Sequence, residues 1–138
     1  MSASTDALET CMSLSDKIAI VTGGSRGIGR AIVTELASKG ARVVFSYRSA
    51  AGPAAALAEA TGAVAVQADV STVEGVDTLI EAAAALNDGR IDVLVNNAGI
   101  TRDGLMLRMS DEDWSAVLRT NLDGTFRMCR GVASVMLR

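Results

Sequence analysis

The 138 residues have the length of one domain and can bury a hydrophobic core. Apolar residues make up 49% and aromatic residues 3%, so the core must be aliphatic, which is ordinary for helices packed on a parallel sheet. The net charge of −3 without a basic run argues against a nucleic-acid partner, and the lack of histidine excludes the usual zinc sites and a Ser-His-Asp triad, so we expect no metal.

The chain starts with a polar stretch, residues 1–15, that we predict to be a disordered leader, with Met12 as an alternative start. It lacks the charged and apolar blocks of a signal peptide, and no window approaches the ~18 apolar residues of a membrane span. Cys11 and Cys129 form no CxxC pair. We therefore expect a cytoplasmic protein without a membrane partner.

Four short apolar runs alternate with helical patterns, at residues 17–21, 42–46, 63–67 and 91–95. Gly40 is expected to end the first helix, and Pro53 suits the first turn of the second. Ser71 and Glu74 predict a capping box before a third helix, whose apolar face would carry Val73, Val76, Ile80 and Ala83. Such alternation demands parallel strands with right-handed crossovers. The prediction is a doubly wound, Rossmann-like α/β sheet of about four strands in the order 3-2-1-4.

The last segment predicts one long helix, with Ser110 as N-cap and acidic residues at positions 111–113. Its apolar face would be formed by Trp114, Val117, Leu118, Leu122, Phe126, Cys129, Ala133, Met136 and Leu137. No stop signal precedes Arg138, so we interpret the helix as cut off by the end of the chain, a naturally fraying helix being the alternative. Asn121 lies on the apolar stripe, where its amide must find partners.

The stretch "VTGGSRGIG" (21–29) places glycines at positions 23, 24, 27 and 29 between the first strand and the first helix. A helix N-terminus binds phosphate through its free N–H groups, and side chains would block that approach. Tight packing of the strand on the helix is the alternative reason for these glycines.

The second strand ends in Ser46-Tyr47-Arg48-Ser49, without the acid that holds the ribose of NAD. Arg26 and Arg48 could both reach one phosphate, which favours NADP over NAD, although exposed arginines are often only solvated. Asp69-Val70 and the stretch "NNAG" (96–99) end the third and fourth strands, so they should lie beside the glycine loop. Taken singly, they could be a loop acid and turn formers.

Together the TGxxxGxG pattern, Asp69-Val70, "NNAG" and "TNLDGTF" (120–126) resemble the classical short-chain dehydrogenases/reductases over residues 16–138. More narrowly, residues 96–114 are similar to the reductases of 3-oxoacyl groups on acyl carrier protein, with the acetoacetyl-CoA reductases as near relatives. The resemblance implies an NADP(H)-binding domain over residues 16–138.

The resemblance also implies site residues. The pyrophosphate and ribose would lie on Gly23, Gly24, Ser25, Arg26, Gly27, Ile28 and Gly29. Arg48 would take the 2′-phosphate region, Asp69 and Val70 would flank the adenine, and the segment Asn97, Ala98 and Gly99 would run towards the nicotinamide. Asn121 matches the catalytic asparagine of the family.

The family's serine and its Tyr-x-x-x-Lys motif, which supply the proton, are expected downstream of residue 138. The one tyrosine, Tyr47, is followed four residues later by Ala51, and the only lysines are Lys17 and Lys39. We therefore expect a truncated chain that is inactive alone. The complete protein would reduce 3-oxoacyl thioesters in fatty-acid synthesis, acting on a substrate bound to acyl carrier protein.

Three alternatives stay open: an acetoacetyl-CoA reductase, another short-chain alcohol or ketone oxidoreductase, and a non-catalytic NADP-binding remnant. Arg102 and Arg108 could meet an acidic carrier protein, or could simply be solvated. The resemblance further implies a homodimer or homotetramer formed through the helix that starts at residue 111.

Overall fold

The computed structural model describes residues 13–138, in which strands and helices alternate. The first seven elements are β1 (Ile18–Val21), α1 (Gly27–Ser38), β2 (Arg42–Tyr47), α2 (Ala51–Thr61), β3 (Val64–Gln67), α3 (Val73–Ala84) and β4 (Val93–Val95). A 3₁₀ turn (Met106–Arg108) precedes α4 (Asp111–Leu118), a π-helical turn (Arg119–Asp123) and α5 (Gly124–Met136).

Most of the predicted leader, residues 1–12, lies outside the described residues. Leu14 packs against the core, and its N–H donates to the Lys39 carbonyl at 2.8 Å.

The four strands form one parallel sheet in the order β3-β2-β1-β4, which confirms the predicted fold class and strand order. The register places Val21 beside Phe45 of β2 on one side and Val95 of β4 on the other. Within residues 13–138, β4 has a strand neighbour on one side only. The order reverses direction at β1, so the carboxyl ends of β1 and β4 flank the point where such sheets bind ligands.

Both faces of the sheet are covered, because the buried strands alternate apolar side chains between two hydrophobic clusters. Ile18 and Ile20 face a cluster that includes Leu79 of α3 and Met128 of α5. Ala19 and Val21 face the opposite cluster, which includes residues of α1 and α2. Helices α1 and α2 therefore cover one face, and α3 and α5 cover the other.

The predicted capping box is wrong: Thr72, not Ser71, caps α3. The Thr72 hydroxyl accepts from the Gly75 N–H at 3.0 Å. Ser71 belongs to the preceding turn, where its N–H donates to Asp69 Oδ1 at 2.9 Å. The buried face of α3 also differs from the predicted one: Val73, which was predicted to be on it, is half exposed, and Leu79, which was not, is buried.

The helical segment after Ser110 is confirmed, with Ser110 as its N-cap, but the predicted apolar face is not the one that packs. Trp114, Leu122 and Phe126 are each more than half exposed. The buried positions follow a second stripe, Thr120, Gly124, Met128 and Val132. This narrow stripe lies close to the turn between β3 and α3, because a Cβ on Gly124 would lie 2.9 Å from the Val70 carbonyl oxygen. The larger apolar side chains of the predicted face, such as Trp114 and Phe126, therefore remain exposed on the surface.

Across residues 13–138, none of the helices combines the length and the apolarity that a membrane span requires.

A carboxylate at the amino ends of β1 and β4 joins the two strands. Asp92 Oδ2 accepts from the Ile18 N–H at 2.8 Å, and both carboxylate oxygens accept from Arg90 Nε at 3.0 and 3.1 Å. Arg90 also donates to the Asp16 carbonyl at 2.8 Å. Burial alone would raise the pKa of Asp92, but the Ile18 N–H, Arg90 and Lys17 together hold it below its ordinary value of 3.8.

We predict that Asp92→Ala lowers the free energy of unfolding by about 1–3 kcal/mol at pH 7, because the Ile18 N–H and Arg90 lose their acceptor. Urea denaturation of the two proteins measures the difference. Asp77→Ala, which removes an exposed carboxylate from α3, is the control and should change stability by less than about 0.5 kcal/mol.

The Asp92 contribution has a defined pH dependence. Its folded-state pKa is depressed, so the stabilisation is fully present above the unfolded-state pKa and is lost as the pH falls through the folded-state value. The difference between the parent chain and Asp92→Ala should therefore shrink below about pH 4. A difference that stays constant down to pH 2 would contradict this electrostatic account.

Candidate functional site

A cleft of about 800 Å³ lies at the carboxyl ends of the strands. Of the residues predicted from the sequence, it is lined by Gly23, Ser25, Arg26, Arg48, Asp69, Val70, Asn97, Ala98 and Gly99. The other predicted residues, Gly24, Gly27, Ile28, Gly29 and Asn121, do not line it. The cleft is also lined by residues that the sequence analysis did not select, namely Ser46, Tyr47, Ser49, Ala50, Gln67, Ala68, Ile100 and Thr120.

Two of the loop glycines are required by packing inside the protein rather than by access for a ligand. A Cβ on Gly24 would lie 2.6 Å from Phe45 Cβ on β2. A Cβ on Gly29 would collide with the Gly23 carbonyl oxygen and Asn97 Nδ2. The tight-packing alternative therefore accounts for Gly24 and Gly29.

Gly23 makes the turn that leads from β1 into the loop. Its φ of +65° lies in the left-handed region that favours glycine, and a Cβ would meet Ala98 Cα at 3.0 Å. The turn thus lies directly against the segment that follows β4, which brings two of the predicted binding stretches together.

The N-terminus of α1 has no acidic side chain in its own cap or first turn. Arg26 occupies the N-cap position without a side-chain cap, and the first turn carries no acidic residue. By contrast, α4 has Ser110 as its cap and three acidic residues in its first turn. The first N–H groups of a helix have no partner within the helix and carry partial positive charge. The start of α1 can therefore accept an anion.

Arg48 lines the same cleft as the glycine loop and lies beside Asp69. Arg48 Nε is 3.8 Å from Asp69 Oδ2, and both side chains are partly exposed, so the pair is a weak, loose contact. Gln67 Nε2 donates to the Arg48 carbonyl at 3.0 Å, which fixes the backbone there. No carboxylate follows β2 before α2, as the sequence shows.

Asp69 stays ionised at neutral pH. Burial raises its pKa, but the side-chain and backbone hydrogen bonds from Ser71 and the charge of Arg48 outweigh it, so the pKa lies below its ordinary value. Asp69 also begins the turn into α3, since its carbonyl accepts from the Thr72 N–H at 3.1 Å. The side chain is therefore held at the cleft wall in its charged form.

Sequence reasoning missed Thr22, which joins the ends of β1 and β4. Its buried hydroxyl oxygen accepts from the N–H groups of Asn97 at 3.0 Å and Ala98 at 2.9 Å. In return, Asn97 Nδ2 donates to the carbonyls of Thr22 at 3.1 Å and Gly23 at 3.0 Å. The signal in the sequence is a hydroxyl residue directly after a fully apolar strand, where it must be hydrogen-bonded once it is buried.

Asn121 lies in the π-helical turn and binds the segment that follows β4. Its Oδ1 accepts from the Ile100 N–H at 2.8 Å, and its Nδ2 donates to the Ile100 carbonyl at 2.9 Å. The side chain thus pairs with the backbone of a residue that lines the cleft. Short π-helical turns occur frequently at functional sites.

Within residues 13–138 no group of three or more Cys, Asp or Glu side chains is arranged to hold a metal ion. The charged residues that line the cleft are Arg26, Arg48 and Asp69.

The family model described as short chain dehydrogenase matches residues 17–138. The chain belongs to the short-chain dehydrogenase family. A 3-oxoacyl-[acyl-carrier-protein] reductase of Synechocystis sp. is 46% identical over 130 residues, covering 91% of this chain and 52% of that relative. The enzyme of the same name from Escherichia coli is 42% identical over 129 residues, covering 92% and 52%.

Two solved structures show the same architecture. A dehydrogenase/reductase from Sinorhizobium meliloti superposes with a TM-score of 0.88 at 34% identity, covering 94% of this chain and 53% of that one. A short-chain dehydrogenase from Burkholderia cenocepacia in complex with NADP has a TM-score of 0.82 at 39% identity, covering 88% and 51%. The chain spans about half the length of the relatives it matches.

We predict that Thr22→Val destabilises the chain by about 1–3 kcal/mol, because two backbone N–H groups lose their acceptor while the side-chain volume is kept. Urea denaturation measures the loss, and amide exchange at Asn97 and Ala98 should accelerate. Thr22→Ser keeps the hydroxyl and is the control. Equal exchange rates in the Val and Ser variants would show that the hydroxyl does not hold this segment.

Proposed function

We propose that residues 16–138 form the NADP(H)-binding domain of an oxidoreductase in the short-chain dehydrogenase family. The observation that carries the proposal is the cleft lined by Arg48 and by Arg26, the N-cap residue of the uncapped helix α1, with no carboxylate directly after β2. NAD-binding sheets place an acid near that point for the ribose 2′-hydroxyl, and an arginine suits a 2′-phosphate instead. The structural relative in complex with NADP supports this choice of cofactor.

The residues present fit such a dinucleotide. The start of α1 would hold the pyrophosphate, and the two guanidinium groups would hold the 2′-phosphate. Asp69 and Val70 would flank the adenine, and Asn97, Ala98 and Gly99 would contact the nicotinamide half. When bound, the nicotinamide supplies the hydride. The packing roles of Gly24 and Gly29 support this arrangement indirectly, since they keep the loop close to the sheet.

For the whole protein, we propose reduction of a 3-oxoacyl thioester carried by acyl carrier protein, as in fatty-acid synthesis. The support is the name shared by relatives of 42–46% identity from separate bacteria. Asn121 would contribute by holding Ile100, and with it the segment 97–100, at the cleft wall. Arg102 and Arg108 are both exposed, and the contact of Arg102 with Asp113 is loose at 3.8 Å, so both are candidates for contact with an acidic carrier.

The exposed apolar face of α4 and α5 supports association of the protein with a second copy of itself. Trp114, Leu122 and Phe126 lie on this face, together with Arg130, whose guanidinium stacks 5.0 Å from the centre of the Phe126 ring. Apolar patches of this kind mark interaction surfaces.

The NADP preference can be tested with Arg48→Ala and Arg26→Ala. Each should weaken binding of NADP⁺ by about tenfold to a hundredfold, because a charge-assisted contact to a phosphate is lost. Binding of NAD⁺ should change by less than about threefold for Arg48→Ala. Isothermal titration calorimetry measures both dissociation constants.

Arg30→Ala is the matched control, because Arg30 is exposed on α1 and does not line the cleft. If the chain bound NAD⁺ more tightly than NADP⁺, or if Arg48→Ala weakened both equally, the proposed cofactor preference would be wrong.

The 138 residues contain no Tyr-x-x-x-Lys motif, so we propose that this chain alone does not reduce ketones. The expected result is tight NADPH binding with no oxidation of NADPH above background when acetoacetyl-CoA is added, followed at 340 nm. Turnover by the purified 138-residue chain would show that another group in it donates the proton.

A further inference from the structure

Ser46 is a buried hydroxyl residue that lies where β2 meets the glycine loop. Its relative exposure is 2%, and it follows Val43, Val44 and Phe45 in a continuously buried run of the strand. Buried strands of parallel sheets are usually apolar throughout, and a hydroxyl is costly there unless it is hydrogen-bonded. The partner of Ser46 therefore indicates what the residue is for.

That partner is the turn of the glycine loop. The Gly23 N–H donates to Ser46 Oγ at 3.0 Å, and the Gly24 N–H donates to the Ser46 carbonyl at 2.9 Å. The backbone contact would be available to any residue at position 46. The contact with the Gly23 N–H needs a side-chain acceptor, so it depends on the hydroxyl.

Gly23 is consequently held from both neighbouring strands. Ser46 of β2 accepts from its N–H, and Asn97 after β4 donates to its carbonyl at 3.0 Å. Gly23 has a φ of +65°, and glycine by itself has the widest choice of backbone conformation. The two contacts remove that freedom at the residue that directs the loop towards the start of α1.

We propose that Ser46 is a positioning residue for the dinucleotide site: its hydroxyl fixes the Gly23 turn and thereby the N–H groups that hold the pyrophosphate. The inference rests on the proposed NADP(H) binding and extends it to a residue outside the glycine motif. Because the pyrophosphate is common to both dinucleotides, Ser46 should affect NADP⁺ and NAD⁺ alike. Arg48 should affect NADP⁺ alone.

The test compares Ser46→Thr with Ser46→Val. Both variants add a similar volume to a buried site, and only Thr keeps the hydroxyl, so differences in packing cancel between them. Isothermal titration calorimetry of the 138-residue chain gives the dissociation constants of NADP⁺ and NAD⁺. We expect Ser46→Val to bind both dinucleotides about tenfold more weakly than Ser46→Thr, with their ratio unchanged within about twofold.

A second measurement reads the contact itself without any ligand. Amide hydrogen exchange at Gly23, followed by NMR, should be faster in Ser46→Val than in Ser46→Thr. If both larger side chains prevent folding, Ser46→Ala adds no volume and should show the same weaker binding and faster exchange relative to the parent chain.

Equal affinities in the Thr and Val variants, or a Val variant that weakens NADP⁺ but not NAD⁺, would overturn the positioning role while leaving the proposed cofactor site intact. A parent chain that binds neither dinucleotide would instead overturn the proposed function, and this inference with it. Whether the parent chain binds a dinucleotide therefore distinguishes failure of the proposed function from failure of this inference.

Discussion

The hydroxyl of Thr22 is the contact on which the geometry of the cleft depends. It lies at the end of the central strand β1 and accepts two N–H groups from the segment after β4, at 3.0 and 2.9 Å. β4 has only three residues and one strand neighbour within residues 13–138, so it has few backbone contacts of its own at this end. The Thr22 hydroxyl adds two hydrogen bonds to the segment just beyond the end of the β1–β4 ladder. The wall formed by Asn97, Ala98 and Gly99 is thereby set at a fixed distance from the glycine loop.

Thr22 acts together with two other polar side chains at the strand ends. Asn97 donates to the carbonyls of Thr22 and Gly23, and Ser46 accepts from Gly23 on the opposite side. Each of these groups would be costly if left unpaired near the core, and each partner is a backbone group that the loop cannot satisfy internally. Within the described residues, no buried side-chain nitrogen or oxygen lacks a partner. These contacts restrict the conformations of the loop in the absence of a ligand, and such restriction lowers the entropic cost of binding.

The fold was largely predictable, because continuous apolar runs and helical spacing are local signals. The four strands and the helices between them follow from such runs, and the order of the strands follows from the family motifs. The packed face of α5 was not predictable, since the helix carries two apolar stripes and periodicity does not say which one meets the sheet. Met128 and Val132 pack, whereas Phe126 stays outside. Gly124, on the packed stripe, lies against the Val70 carbonyl, a contact between distant parts of the sequence that no local pattern reveals.

The same limit applies within the site. Gly24 and Gly29 belong to the motif, but they must be glycine because a Cβ there would collide with Phe45 or Asn97, and no local pattern connects those residues to the loop.

The net charge of the chain does not predict the charge at the cleft. The net charge is −3, yet the charged groups lining the cleft are two arginines and one carboxylate, which leaves one positive charge beside the positive end of α1. The charge at the cleft is therefore positive although the net charge of the chain is negative. Since the Arg48–Asp69 contact is loose at 3.8 Å, a phosphate that approaches Arg48 has little existing interaction to displace.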